Sequence, residues 1–245
     1  MIKIERRSPP TGTILDRKRE EALQKIRRLV ESGESKSDAF DRLWSNLEVK
    51  SFLYESQHRK CCYCERNRDQ KELDVEHFRP KSQVKEAKNH SGYWWLAYNW
   101  ENLLLACKMC NQKKSSKFPL KDEKKRAYEE NDDLKEEEPV LINPLDENPE
   151  LFINYDLSGA GLMVKAFGRC ERGEKTVSEL TGINDPNVMK ERAQQLQVYQ
   201  MICYFMRNAS DELYSDPTKI MHELVSPTSH FSGFATFYFR KEGCM

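Results

Sequence analysis

Cys61-Cys-Tyr-Cys64, Asp74-Val-Glu-His-Phe-Arg-Pro-Lys81 and Trp100-Glu-Asn-Leu-Leu-Leu-Ala-Cys-Lys-Met-Cys-Asn-Gln-Lys-Lys114 form the chemically dense part of this chain. The first and last stretches each hold a C-x-x-C, Cys61/Cys64 and Cys107/Cys110, with residues 65–106 between them. A C-x-x-C turn presents two sulfurs towards one point, and tetrahedral zinc accepts four thiolates. Cys62 is a competing ligand, but the symmetric pairing favours Cys61 and Cys64. Four thiolates leave no open coordination position, so such an ion is structural and can neither polarise a substrate nor generate a hydroxide. A redox reading of either pair lacks the βαβ pattern that surrounds thioredoxin-like motifs.

Around this segment the composition is that of a globular protein. The chain has 245 residues, of which 38% are hydrophobic and 10% aromatic, enough for a sizeable core as one domain or two closely packed ones. Its net charge of zero names no partner, but the charges are unevenly placed. Cys107 to Arg126 holds eight Lys or Arg against two acids, and Glu129 to Glu150 holds ten acids against one Lys. A basic block of that kind suits a phosphate backbone, and the acidic block repels one. The N-terminal residues lack the apolar stretch of a signal peptide, and apolar runs such as Leu103 to Cys107 are far too short for a bilayer. The expectation is a cytoplasmic protein without membrane partners, in a compartment where cysteines bind metal rather than pair. Cys170, Cys203 and Cys244 read as isolated.

Periodicity predicts a helix from Asp16 to Val30, with Asp16 as its cap and Ala22, Leu23, Ile26, Leu29 and Val30 as its apolar face. A second helix is expected from Ser37 to about Ser56. Phe152 to Tyr155 and Leu162 to Phe167, flanking Gly159 and Gly161, resemble a short β-hairpin. Asn187 to Arg207 reads as a long helix, a further helical stretch lies between Pro217 and Pro227, and Phe231 to Phe239 reads as a buried closing element. Trp94, Trp95, Tyr98 and Trp100 suit base stacking, but a cluster this dense more often packs a core. His58 and His90 read as surface residues.

The order Glu76-His77, Asn102, Cys107-x-x-Cys110-Asn111, with lysines trailing, resembles the HNH (ββα-metal) nuclease motif, in which a β-hairpin and a helix grip one divalent cation. The resemblance implies an α+β, mainly helical protein: an HNH core with a four-cysteine zinc knuckle, flanked by helical segments. His77 is then the general base, since an imidazole with an ordinary pKa near 6.5 is neutral and basic at cellular pH. Glu76 becomes a ligand for Mg²⁺ or Mn²⁺, for which carboxylate oxygen is suited. Asn102 orients the base, and Asn111 completes the metal site with its amide oxygen. Arg79, Lys81, Lys108, Lys113 and Lys114 are candidate phosphate contacts. Many HNH sequences carry Asp where this chain has Glu76, which leaves Asp74 as an alternative ligand.

Further strings, among them Ile4-Glu-Arg-Arg-Ser-Pro-Pro, Glu76-His-Phe-Arg-Pro-Lys81, Gly92-Tyr-Trp-Trp-Leu-Ala-Tyr98, Phe118-Pro-Leu120, Leu141-Ile-Asn-Pro144 and Leu180-Thr-Gly-Ile-Asn184, resemble the HNH component of the Septu anti-phage family. That family pairs the nuclease with an ABC-type ATPase, and related pairs accompany some retrons. The resemblance implies an endonuclease cutting nucleic acid, with DNA favoured, within a hetero-oligomeric defence complex. On this division residues 1–57 form an N-terminal helical segment, 58–125 the HNH core and 126–245 a mostly helical region that packs on the core or docks the partner. Two other readings share the same residues: a zinc-containing module that binds nucleic acid or protein without cutting, and an HNH nuclease acting on RNA, including tRNA.

Overall fold

The computed structural model describes residues 1–6, 11–34, 39–158, 162–208 and 217–245. At its centre, β1 (Leu73–His77) pairs antiparallel with β2 (Leu103–Cys107), Glu76 opposite Leu104 and His77 opposite Leu103. The chain then turns directly into α3 (Lys108–Lys114). This ββα unit follows from the sequence. All five residues of β2 are buried, as an apolar strand covered on both faces should be, and the backbone enters the helix at Cys107 in an extended conformation.

The N-terminal region packs against this unit. Helix α1 (Ile14–Glu31) buries Leu15, Ala22, Leu23 and Ile26. Its cap is Thr13, whose Oγ1 accepts from Asp16 N, so Asp16 sits in the first turn instead of capping it. The expected second helix is shorter than its apolar spacing suggests. A single turn at Leu43–Ser45 ends at Asn46, whose side chain caps α2 (Leu47–Ser56) by accepting from Glu48 N. A side chain that satisfies the orphan amides of a new helix start breaks the run into two. The beginning of that stretch, residues 37–38, lies outside the described residues. Arg6 reaches from the N-terminal segment to donate to the carbonyls of Trp100 and Leu103, where β2 begins.

The C-terminal half adds a second small sheet, β3 (Ile153–Asp156) against β4 (Lys165–Gly168), whose tip lies outside the described residues. Helix α4 (Glu171–Lys175) runs on as a wide turn through Leu180, and α5 (Pro186–Asn208), α6 (Pro217–Val225) and α7 (Ser232–Lys241) complete the chain. The expected closing element is α7, which buries Phe234, Tyr238 and Phe239 against Tyr199 of α5. Two of the cysteines read as isolated meet here: Cys244 Sγ lies 2.8 Å from Cys203 Sγ. Sequence distance hid this pair, because only the return of α7 along α5 brings the two sulfurs together.

Two glycines mark close approaches to the ββα unit. Gly92 has φ +80°, and a Cβ there would lie 2.5 Å from backbone atoms of Lys81 and Ser82. Gly182 approaches the start of α3, where a Cβ would lie 3.1 Å from Cys110 Sγ. The Leu180-Thr-Gly-Ile-Asn184 string is therefore a lid on the cysteine cluster. No helix among the described residues is long and apolar enough to cross a membrane.

Candidate metal centre and active-site cleft

The four cysteines Cys61, Cys64, Cys107 and Cys110 are buried, and their sulfurs all lie within 4.8 Å of one another. Cys64 Sγ and Cys107 Sγ are 3.8 Å apart. A tetrahedron with Zn–S bonds of about 2.3 Å has an edge of about 3.8 Å, so the spacing fits a zinc ion. Backbone geometry builds the cage from the sequence outwards. Cys61 N donates to Arg66 O and Glu65 N to Cys61 O, closing the first turn, with Glu65 at φ +63°. Cys62 N donates to Leu105 O, which docks that turn on β2, and Cys107 N donates to Cys61 Sγ at 3.3 Å.

Burial alone raises the Cys61 thiol, but hydrogen bonds with Cys107 and Cys110 carry it well below its ordinary value. Cys62 is equally buried and stands outside the cluster. Burial and its neighbour Cys61 push it well above the ordinary thiol range, so it stays protonated. The competition between Cys61 and Cys62 is thus settled by which sulfur the turn aims inwards.

Beside α3, a polar cleft of about 300 Å³ is lined by Glu76, His77, Lys81, Asn111 and Ser115, among others. Three residues far apart in sequence, Glu76 and His77 at the end of β1 and Asn111 in α3, thereby share one cavity. Asp74 is exposed and does not line it. The donors present are a carboxylate, an amide and a hydroxyl, a hard-oxygen set suited to Mg²⁺ or Mn²⁺ rather than zinc. Glu76 is buried, and its Oε1 lacks an aligned hydrogen-bond donor. That atom does form a close ion pair with Lys114 Nζ, a contact of charges without hydrogen-bond alignment. Burial raises the Glu76 carboxyl, while Lys114 and Lys81 pull it down. A buried carboxylate with spare acceptor capacity, facing a polar cavity, fits a bound divalent cation.

His77 is held on two sides. Its Nε2 lies 2.9 Å from Ala97 O. A carbonyl oxygen only accepts, so the neutral ring carries its proton on Nε2 and keeps the Nδ1 lone pair basic. Trp44 meets the ring edge-on, with centroids 4.9 Å apart, and Trp44 in turn stacks on Tyr98 at 5.5 Å. Burial, reinforced by the Lys81 ammonium, pushes the His77 pKa down to about 3, so the imidazole is neutral at cellular pH. The N-terminal region therefore packs on the His77 ring, a contact that no sequence motif announces.

Asn102 acts one step away from His77. Its Oδ1 accepts from Arg79 N at 2.7 Å, and its Nδ2 donates to Arg79 O at 3.0 Å and Leu96 O at 3.2 Å. It ties the backbone just after His77 to the backbone just before Ala97. Asn102 does not touch the imidazole; its contacts are to the main chain on either side of it.

The basic residues separate into two groups. Lys108 is exposed on α3 and Lys113 is half-buried there. Lys114, expected as a phosphate contact, is fully buried: its Nζ donates to His77 O at 2.7 Å and pairs with Glu76. Helical spacing allows this, since Lys114 lies one turn after Asn111 and four residues after the buried Cys110, on the side of α3 that meets β1. Arg79 is engaged by Glu137 at 2.8 Å, and Lys81 lies over the rings of Phe40 and Trp44 at 5.3 and 5.0 Å. Glu137, from the acidic block, is buried and also accepts from Tyr93 Oη and Ala127 N. Part of that block therefore braces the site loop instead of facing solvent.

The aromatic residues Trp94, Trp95, Tyr98 and Trp100 are buried, the core reading of that cluster. His90 is buried as well, which corrects its surface assignment: Nδ1 accepts from Gly92 N, and Nε2 contacts Ala127 O at 2.7 Å.

An antiparallel hairpin, a following helix, a cysteine cage and a carboxylate–histidine–asparagine cleft define an HNH unit. Residues 61–117 match the HNH endonuclease family, and the chain carries a domain of that family. Beyond the domain, the chain is 27% identical over 200 residues to Septu protein PtuB of Bacillus mycoides (strain KBAB4), covering 79% of this chain and 66% of that protein. It is 36% identical over 128 residues to Septu protein PtuB of Bacillus thuringiensis, covering 50% of this chain and 40% of the relative. A third similarity, 25% over 170 residues, is to Septu protein PtuA of the same B. mycoides strain, covering 68% of this chain and 23% of that one. The chain spans less than two thirds of the length of each of these relatives.

Proposed function

We propose that this protein is a metal-dependent endonuclease that hydrolyses phosphodiester bonds in DNA, acting as the nuclease of an anti-phage complex with an ABC-type ATPase. The observation that carries the reading is the convergence of Glu76, His77 and Asn111 on one polar cleft beside the hairpin and helix. A binding module has no need of a buried, neutral imidazole next to a buried carboxylate.

In this reading His77 is the general base: Nδ1 accepts a proton from water as the oxygen attacks phosphorus. Asn102 keeps the ring in register through Arg79 and Leu96, and the Ala97 carbonyl fixes the tautomer. Glu76 and Asn111 would hold a Mg²⁺ or Mn²⁺ ion, which supplies Lewis-acid stabilisation of charge on the phosphoryl and departing oxygens. Lys108, exposed on α3, and the half-buried Lys113 would neutralise neighbouring phosphates. The cysteine cage would hold a structural zinc that keeps β2 and α3 in place. The partner reading is supported by the similarity to both PtuB and PtuA, the latter matching this chain over only 23% of its own length.

The test is cleavage of plasmid, single-stranded DNA and RNA with Mg²⁺ or Mn²⁺, with and without the ATPase encoded beside this protein, for wild type and His77→Ala. Cation-dependent cutting of DNA that His77→Ala reduces by about 10²–10⁴-fold is expected. Equal rates for the two proteins would remove His77 as the base. Cutting of RNA alone would reassign the substrate, and no cutting by a folded, partner-loaded complex would return the protein to the binding-module reading.

A further inference from the structure

Lys114 is an unusual residue to find where it lies. It is 0% exposed, at the end of a short helix that also carries Lys108 and Lys113. Burying an ammonium costs several kcal/mol unless it is paired and hydrogen-bonded. Here both conditions are met by the candidate active site itself: Nζ donates to the His77 carbonyl at 2.7 Å and forms a close ion pair with Glu76 Oε1. The contact to Ser115 O, at 3.5 Å, is marginal. The positive charge is therefore fixed against the carboxylate that faces the cleft.

We propose that Lys114 is the built-in counter-cation of Glu76, and that it competes with the divalent cation for this carboxylate. The inference rests on the reading of Glu76 as a metal ligand. With Oε1 against the ammonium, only the second oxygen remains to serve an incoming ion, and that ion meets a fixed positive charge beside a buried carboxylate. Charges of +1 and +2 a few ångströms apart in such surroundings repel strongly enough to change affinity by about tenfold or more. The cleft accordingly holds a bare cation less tightly than its oxygen donors alone would. Lys81 adds charge from a different side, but its ammonium lies over the Phe40 and Trp44 rings. Lys114 also ties the end of α3 to the end of β1, so it keeps Glu76 and His77 in register while no cation is bound.

The experiment is Mn²⁺ binding at neutral pH by titration calorimetry and by the Mn²⁺-dependent shift in Tm, on full-length protein with its zinc retained. Wild type, Lys114→Gln, Lys113→Gln and Glu76→Ala are compared. Lys114→Gln is expected to bind Mn²⁺ about tenfold more tightly and to gain more Tm from it. Lys113→Gln, with the same charge change one residue away but outside the Glu76 ion pair, should bind as wild type does. Unchanged or weaker binding in Lys114→Gln would overturn the proposal, as would an equal gain in Lys113→Gln. Should Lys114→Gln fold only when Mn²⁺ is added, the cation has replaced the ammonium, and the proposal stands; a variant that Mn²⁺ does not rescue overturns it. Wild-type binding that survives Glu76→Ala would instead sink Glu76 as a ligand, and with it the metal site of the nuclease reading.

Discussion

The cysteine cage and the polar cleft are built on the same short helix through the consecutive residues Cys110 and Asn111, and they differ in almost every physical respect. Cys110 of α3 points into a closed, four-sulfur cluster, whereas Asn111 and Ser115 line a cleft. The cage offers four like donors at the edge length of a zinc tetrahedron and has no position left over. The cleft offers unlike oxygen donors and a basic nitrogen, and it already contains a cation of its own in Lys114. A site built to hold shape is saturated; a site built to exchange keeps a position open and its charges in tension.

That contrast is broken most forcefully by removing zinc. Chelation, or Cys107→Ser, is expected to unfold the hairpin–helix unit, because structural zinc in small sites contributes about 10–16 kcal/mol of apparent binding energy to folding. One zinc per chain by elemental analysis, lost together with the folded circular-dichroism signal, is the expected outcome. A chelated protein that stays folded would mean the cage is dispensable. Emptying the cleft of Mg²⁺ or Mn²⁺ should leave the fold unchanged.

Asn102→Ala should cost less than zinc removal and more than surface changes. It strands Arg79 N–H, Arg79 C=O and Leu96 C=O in a buried loop, worth about 2–3 kcal/mol in a urea titration. Asn111→Ala, in the same motif, should lower Mn²⁺ affinity with little loss of stability. Equal destabilisation by both would show that the two asparagines share one structural role.

A third effect is set by pH. The His77 pKa is about 3 in the folded protein against about 6.5 unfolded. Protons therefore bind the unfolded chain first, and stability is lost as pH falls below 6.5. Between pH 8 and pH 5 this amounts to about 2 kcal/mol, a difference that His77→Gln should abolish. Parallel stability curves for the two proteins over that range would contradict a buried neutral imidazole.

The smallest effect concerns phosphate contacts. Lys108→Ala and Lys113→Ala should each reduce the salt dependence of DNA binding by a log–log slope of about 0.9 per contact. Unchanged slopes would move the backbone contacts off α3.

Parts of this molecule were legible because their signals are local. The C-x-x-C pairs fix sulfur geometry within a single turn, and the long apolar spacing of Pro186–Asn208 marks a helix wherever it packs. The Glu76-His77 pair reads from the sequence because β1 carries both residues to one strand end. Other features were not local. Lys113 and Lys114 look alike in sequence, yet a rotation of about 100° per residue leaves one half-buried and takes the other fully into the core. Asn46 divides an apolar run that reads as continuous, and Cys203 meets Cys244 only through the return of α7.

The three-part division of the chain is affected by the same facts. Trp44, from the N-terminal segment, walls the His77 ring, and Gly182, from the C-terminal region, seats against Cys110. A fragment cut to Gln57–Lys125 would lose both contacts, so its failure to bind an ATPase would not separate a docking surface from a damaged core. Surface changes on α5, where Met201 and Tyr204 are exposed, test docking without that ambiguity.

The sequence by itself determined the chemistry on offer: four cysteines with zinc spacing, a carboxylate beside a histidine, and an asparagine on each side of the second cysteine pair. Those are statements about donor types and short-range geometry, which covalent spacing controls. Only the tertiary structure decided which charges face the cleft, which are buried in pairs and which remain in water. Burial and pairing depend on segments brought together across the chain, as Glu137 on Arg79, Trp44 on His77 and Lys114 on Glu76 all are. Desolvation then fixes their energies, and no single stretch of sequence contains that information.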